Sequence, residues 1–295
     1  MKLLLRSLLV LAAMTSTPLL TAQAAPKPDP PSRLQDDPPV WAGTFDEAVE
    51  RARKLPGGRV LVEVREAACP DCERMEKLVY PTASFRAFCR DKVPVSLIAG
   101  TEEGNAIARR YALRSFPAWL VVSTDGLLCG KQEGASNQST WVERFVATER
   151  EWAAFQQKLQ KEKKTPNDLS AVLAVAEDAY RRFGDEMAGK RFRRIADDPK
   201  SSTALKEKAL PYLASIGLAA GRLDDAERDL KALLALTKDP ALREKAELRL
   251  VDVEVGRGER RKAQEKLKGF LAKYPESPLR PQAEALLEAL SAPNS

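Results

Sequence analysis

The chain has 295 residues, enough for two domains of ordinary size. Its formal charge is +6, and about +4 remains once Lys2 and Arg6 of the N-terminal leader are set aside. Acidic and basic residues are interspersed, which describes a solvated surface and argues against a nucleic-acid partner. Four cysteines and no histidine argue against a closed four-ligand zinc site and against copper delivery.

Residues 1–24 have the layout of a secretory signal peptide. Lys2 and Arg6 form a basic start, Leu8 to Ala13 an apolar stretch, and Ala22-Gln23-Ala24 a small-residue cleavage site. No cysteine follows it, so a lipoprotein acceptor is missing, and no later run approaches the roughly 18 apolar residues of a membrane span. The expectation is an exported protein, periplasmic and not inserted in the membrane after cleavage, in a compartment where disulfides persist. Residues 25–40 carry six prolines, Pro26, Pro28, Pro30, Pro31, Pro38 and Pro39. They read as an extended, disordered spacer with polyproline II character, a docking motif being the alternative.

Thr44 and Glu47 form a capping box that opens a helix. Gly57-Gly58 then turns the chain into an apolar strand, Val60-Leu61-Val62-Glu63-Val64. Where this strand gives way to a helical pattern, Glu73 to Val79, stands Cys69-Pro70-Asp71-Cys72. Two cysteines at that spacing and junction make a dithiol redox site, since a helix N-terminus stabilises a thiolate on the first sulfur. Cys69 is the candidate nucleophile and Cys72, one turn on, the resolving thiol; a purely structural disulfide is the alternative. Glu63 lies six residues before Cys69 and is the one acid in the apolar strand, pointing either inward or to a rim. Cys89 and Cys129 are isolated, read as two buried thiols or a second disulfide. Ala118 to Val122 reads as a strand, Thr124-Asp125-Gly126 as a hairpin turn, and Gly134 precedes a helix that runs through Glu151 to Gln160. The Lys161 to Lys164 run is a helix end leading into a linker.

These pieces, with Ile107 to Pro117 before the strand, make residues 41–164 resemble a thioredoxin-fold domain of the kind carried by exported bacterial proteins. The resemblance implies an α/β fold, a mixed central sheet with flanking helices, and thiol–disulfide oxidoreductase activity of the reductase or isomerase type. Glu63 matches the family's buried acid beneath the second cysteine, where a carboxylate accepts the proton of the resolving thiol. Pro117 matches the family's cis-proline, and Phe116 before it offers backbone to an extended substrate. The family needs no cofactor; its partners are disulfide-bearing proteins and a membrane dithiol donor of electrons. Ala68 and Phe116 depart from the residues usual at their positions, which bears on substrate docking.

Beyond about Asn167 the cysteines stop and alanine and leucine recur at helical spacing. A repeat appears at a separation of 37 residues: Glu207-Lys208-Ala209 returns as Glu244-Lys245-Ala246, Gly221 as Gly258, Ala226 as Ala263 and Leu230 as Leu267. A weaker first copy has Gly184, Ala188, Phe192 and Pro199. Residues 165–295 resemble tetratricopeptide-type repeats, an all-α stack whose concave surface takes a peptide or protein ligand. The boundary near residue 165 suggests two separable domains. A reading from another class is an interaction scaffold, in which the repeats carry the function and the first domain is mainly structural.

Asp71 places a negative charge near Cys69, and Pro70 offers no N–H. Against a helix dipole and nearby Arg65 and Arg74, this predicts a thiol of pKa on the order of 7, with a couple nearer about −270 mV than about −120 mV.

Overall fold

A computed structural model describes residues 38–292. The expected signal peptide and nearly all of the proline-rich segment lie outside the described residues. Among those described, no helix is long and apolar enough to cross a membrane.

Helix α1 (Phe45–Arg53) starts where Thr44 Oγ1 accepts the Glu47 N–H at 3.2 Å, and the Glu47 carboxylate reaches back to the Gly43 N–H. Strand β1 (Arg59–Arg65) leads to α2 (Pro70–Leu78), α3 (Ala83–Phe88), β2 (Lys92–Ile98), α4 (Glu102–Arg110), β3 (Ala118–Ser123), β4 (Leu128–Glu133) and α5 (Gln138–Lys164). The four strands form one mixed sheet in the order β2-β1-β3-β4, with β1 parallel to β2 and antiparallel to β3, and β3 antiparallel to β4. Central β1 is buried on both faces, which is why it reads as a nearly unbroken apolar run.

Its alternate residues face two cores. Val60, Val62 and Val64 join Ala48, Ala52, Ile107, Leu120 and Val122 on the side of α1 and α4. Leu61 joins Met75, Val79, Phe85, Trp119, Trp141 and Phe145 on the side of α2, α3 and α5. At the end of the sheet where β1 begins, buried Arg59 and Lys92 share the carboxylates of Asp91 and Glu149, which ties α5 to both strands.

The remainder is helical: α6 (Leu169–Arg181), α7 (Asp185–Asp197), α8 (Thr203–Ala219), α9 (Leu223–Leu236), α10 (Pro240–Gly256), α11 (Arg260–Lys273) and α12 (Arg280–Ser291). Gly221 and Gly258 take φ of +69° and +74° in the turns after α8 and α10, a region open to glycine without a Cβ clash. After α6 the left-handed residue is Phe183, not Gly184. Gly184 answers to a different demand, since a Cβ there would stand 2.2 Å from Leu127 Cδ2 on the β3–β4 hairpin.

That contact belongs to a junction between the two halves. Leu127 and Phe155 are buried in the helical core with Val172, Val175 and Phe192, and Trp152 packs against this core and the sheet's. Arg182 accepts the Leu128 N–H on its carbonyl and donates from its guanidinium to the Leu128 carbonyl, both at 2.9 Å. It thereby covers part of the edge of β4. Phe183 meets Tyr111 edge-on at 5.7 Å.

Candidate active site

Cys69 is the N-cap of α2 and Pro70 its first residue, a position where the missing N–H costs nothing. Cys69 and Cys72 form a disulfide, and Cys69 Sγ accepts the Cys72 backbone N–H at 3.1 Å. Cys69 keeps 6% of its surface exposed and Cys72 none. Of the two, the N-cap sulfur is the one an outside thiol or disulfide can meet. Asp71 pairs with Arg74 at 2.9 Å, and Arg65 pairs with Glu76. Of the charges weighed above for their effect on Cys69, Asp71 and Arg74 are therefore engaged with each other and Arg65 with a third residue, Glu76.

Glu63 is 1% exposed and turned to the α2 side of the sheet, between Ser96 on β2 and Trp119 on β3 in the strand register. Of the inward and rim placements open to it, it takes the inward one. Ser96 Oγ donates to one carboxylate oxygen and Tyr80 Oη to the other, each at 2.8 Å. Trp119 Nε1 donates to Tyr80 Oη at 3.0 Å. An indole N–H can only donate, so the tyrosine's own proton is directed at Glu63. Burial raises the Glu63 pKa above the ordinary carboxylate range; the hydroxyls of Ser96 and Tyr80 and the charge of Arg65 oppose the rise, and Glu76 adds to it. Burial, then Glu63, pushes the Tyr80 phenol up in turn. This chain of side chains can hold a carboxylate ionised in an apolar core and return it to the neutral form as a proton arrives.

The Phe116–Pro117 peptide bond is cis. It lies at the end of the sheet that carries the dithiol, since Ala118 pairs with Val64 at the exit of β1. Pro117 is buried and Phe116 half-buried against the α1–α4 core. The Gly134 N–H donates to the Pro117 carbonyl at 2.8 Å.

Cys89 and Cys129 are free, buried thiols, each pushed up to about 12 by burial. Of the two readings open for them, the unpaired one is observed. They lie toward the opposite end of the sheet, near Lys92 and Leu128.

Ser96, Tyr80, Trp119, Lys131 and Glu133 are the residues around the site that sequence reasoning missed. Only the strand alternation hinted at Trp119; the others meet their partners across 17 or more residues of chain. No family model matches the chain, and no curated protein is similar to it. Among solved structures, one titled DsbH oxidoreductase aligns with a TM-score of 0.34 at 12% identity, covering 44% of this chain and 95% of its own.

Proposed function

We propose that the protein is an exported thiol–disulfide oxidoreductase of thioredoxin-like fold, working as a reductase or isomerase-like thiol donor. The observation that carries the reading is a Cys69–Cys72 disulfide at a helix N-terminus, its first sulfur slightly exposed and its second enclosed. In the reduced protein the Cys69 thiolate attacks one sulfur of a substrate disulfide, forming a mixed disulfide and releasing the other sulfur as a thiolate. Cys72 then gives its proton to Glu63 and attacks Cys69 Sγ. The substrate leaves with its second thiolate, two electrons have passed to it, and the Cys69–Cys72 disulfide remains for a dithiol donor to reduce.

The helical region, read as tetratricopeptide-like, recruits a protein or peptide partner in this proposal. A cleft of about 210 Å³ between α8, α9, α10 and the start of α12, lined by Ala214, Leu230, Leu233, Leu242 and Leu279, supports that part. The test is equilibration of the dithiol against glutathione, together with capture by a Cys72→Ala variant whose Cys69 cannot be resolved. A measurable couple below roughly −180 mV and defined trapped proteins are expected. A dithiol that does not exchange, or only indiscriminate adducts, would favour the scaffold reading.

A further inference from the structure

The segment that leads into the cis-proline, Tyr111 to Phe116, starts on carbonyls of α4, which accept the N–H groups of Tyr111, Ala112 and Leu113, and on a bond from Tyr111 Oη to the Gly126 carbonyl. Its remaining polar backbone contacts go to two side chains of one neighbouring strand. Lys131 and Glu133 stand two apart on β4 and so on one face of it. They pair with each other at 2.8 Å. Lys131 Nζ donates to the carbonyls of Tyr111 and Ala112 at 3.4 and 3.3 Å, where α4 ends with Ala112 in the left-handed region at φ +49°. Glu133 Oε2 alone accepts the backbone N–H groups of Arg114 at 2.8 Å and Ser115 at 3.0 Å. One residue on, the Gly134 N–H holds the Pro117 carbonyl. Phe116 is thereby bracketed on both sides, while its own N–H and C=O make no hydrogen bond among the described residues. Although partial burial works against ionisation, the Lys131 ammonium and the Arg114 and Ser115 amides keep the Glu133 carboxyl below the ordinary range.

We propose that the Lys131–Glu133 pair is a positioning clamp: it fixes residues 111–115 so that the free backbone of Phe116 is presented for strand-like pairing with a polypeptide substrate. Neither side chain contacts the sulfurs, so both act through the loop. The proposal rests on the oxidoreductase reading and adds a determinant of substrate docking that is separate from the thiol chemistry. A polypeptide disulfide needs the loop; a small disulfide that reaches Cys69 without strand pairing does not.

The test compares Glu133→Ala, Glu133→Asp and Glu133→Gln with the unsubstituted protein on insulin and on oxidised glutathione. Glu133→Ala removes the acceptor, and Glu133→Asp keeps the charge but falls a methylene short of the two amides. Both should raise KM for insulin about tenfold, the factor that one charge-assisted hydrogen bond corresponds to. The kcat for insulin, the glutathione rate and the redox potential should stay within about twofold. Glu133→Gln, whose amide oxygen can still accept both N–H groups, should return KM to within about threefold. Amide hydrogen exchange at Arg114 and Ser115 should quicken in the Ala and Asp variants and not in Gln. An insulin KM that does not move, or a glutathione rate and potential that fall along with it, would overturn the clamp while leaving the oxidoreductase reading standing. Failure of the unsubstituted protein to exchange with either disulfide would sink both.

Discussion

Replacing Glu63 by glutamine separates its electrostatic role from its packing. The volume is the same, and the amide can still accept from Tyr80 while its NH2 turns toward Ser96, whose hydroxyl can accept instead. What is lost is the charge. Burial holds the folded-state pKa of Glu63 above the unfolded value of 4.5. The native state therefore favours the protonated form. That contribution to stability is complete below about pH 4.5 and is lost as pH rises through the folded pKa. Glutamine has no proton to lose, so the variant escapes the decline. The difference in unfolding free energy, Glu63→Gln minus wild type, should be near zero at the acid end and grow in the variant's favour toward pH 8. Its plateau is about 1.4 kcal/mol for each unit by which the pKa is raised. Taking the difference cancels the acid limb contributed by carboxylates such as Asp91 and Asp178, whose pKa values are lowered and which are common to both proteins. Glu63→Ala is the contrasting case. It leaves two hydroxyl donors without their acceptor, which at about 1–3 kcal/mol each should cost about 2–3 kcal/mol overall, after relief of the buried charge. The assay is urea unfolding at half-unit steps from pH 4 to pH 9. Parallel pH profiles for wild type and Glu63→Gln, or a glutamine variant less stable at pH 8, would refute the argument. Kinetically, the glutamine variant should release substrate from the mixed disulfide about 100-fold more slowly, as expected for loss of a general base.

In the reduced protein, limited iodoacetamide at pH 7 should label Cys69 first, with Cys89 and Cys129 silent, since burial pushes those thiols up to about 12; peptide mass spectrometry reads the order, and early label on Cys72 would reverse the assigned roles. A chain ending at Lys164 uncovers Leu127 and Phe155, now buried against the helices. At about 1.5–3 kcal/mol for each side chain, it should lose about 3–6 kcal/mol and melt well below the full chain; equal melting temperatures would show that the junction contributes little. Leu127→Ala in the full chain should cost about 2–5 kcal/mol by leaving a cavity at the same junction, measured by urea unfolding.

The parts of the site legible in the sequence are those written over short distances. Cys69 and Cys72 announce themselves by spacing and by the change from strand to helix around them. Glu63 is visible because an acid interrupts five otherwise apolar positions. Tyr80 was not, because an aromatic residue after a helix carries no sign of the partner it meets 17 residues back. Lys131 and Glu133 look like solvated charges on an edge strand, which is what most such residues are. Their role depends on β4 lying beside the loop before Pro117, a fact of topology rather than of local pattern. Periodicity assigns Gly184 to a repeat, yet its missing Cβ is required by Leu127, a residue more than 50 positions earlier that periodicity within the helices cannot reveal.

Helix α5 is continuous over its 27 residues and places Trp141 and Phe145 in one core and Phe155 in the other. At about 1.5 Å per residue it is a strut of about 40 Å. Two modules joined by a slack linker raise each other's local concentration of ligand in a way set by linker length. A strut shared between cores, with Arg182 and Phe183 docked on the sheet, replaces that statistical nearness by a fixed offset. If the helices α8 to α12 hold cargo as proposed, it would meet Cys69 only where its disulfide lies at the matching distance and angle, and selection among substrates would operate by measurement of length as well as by affinity.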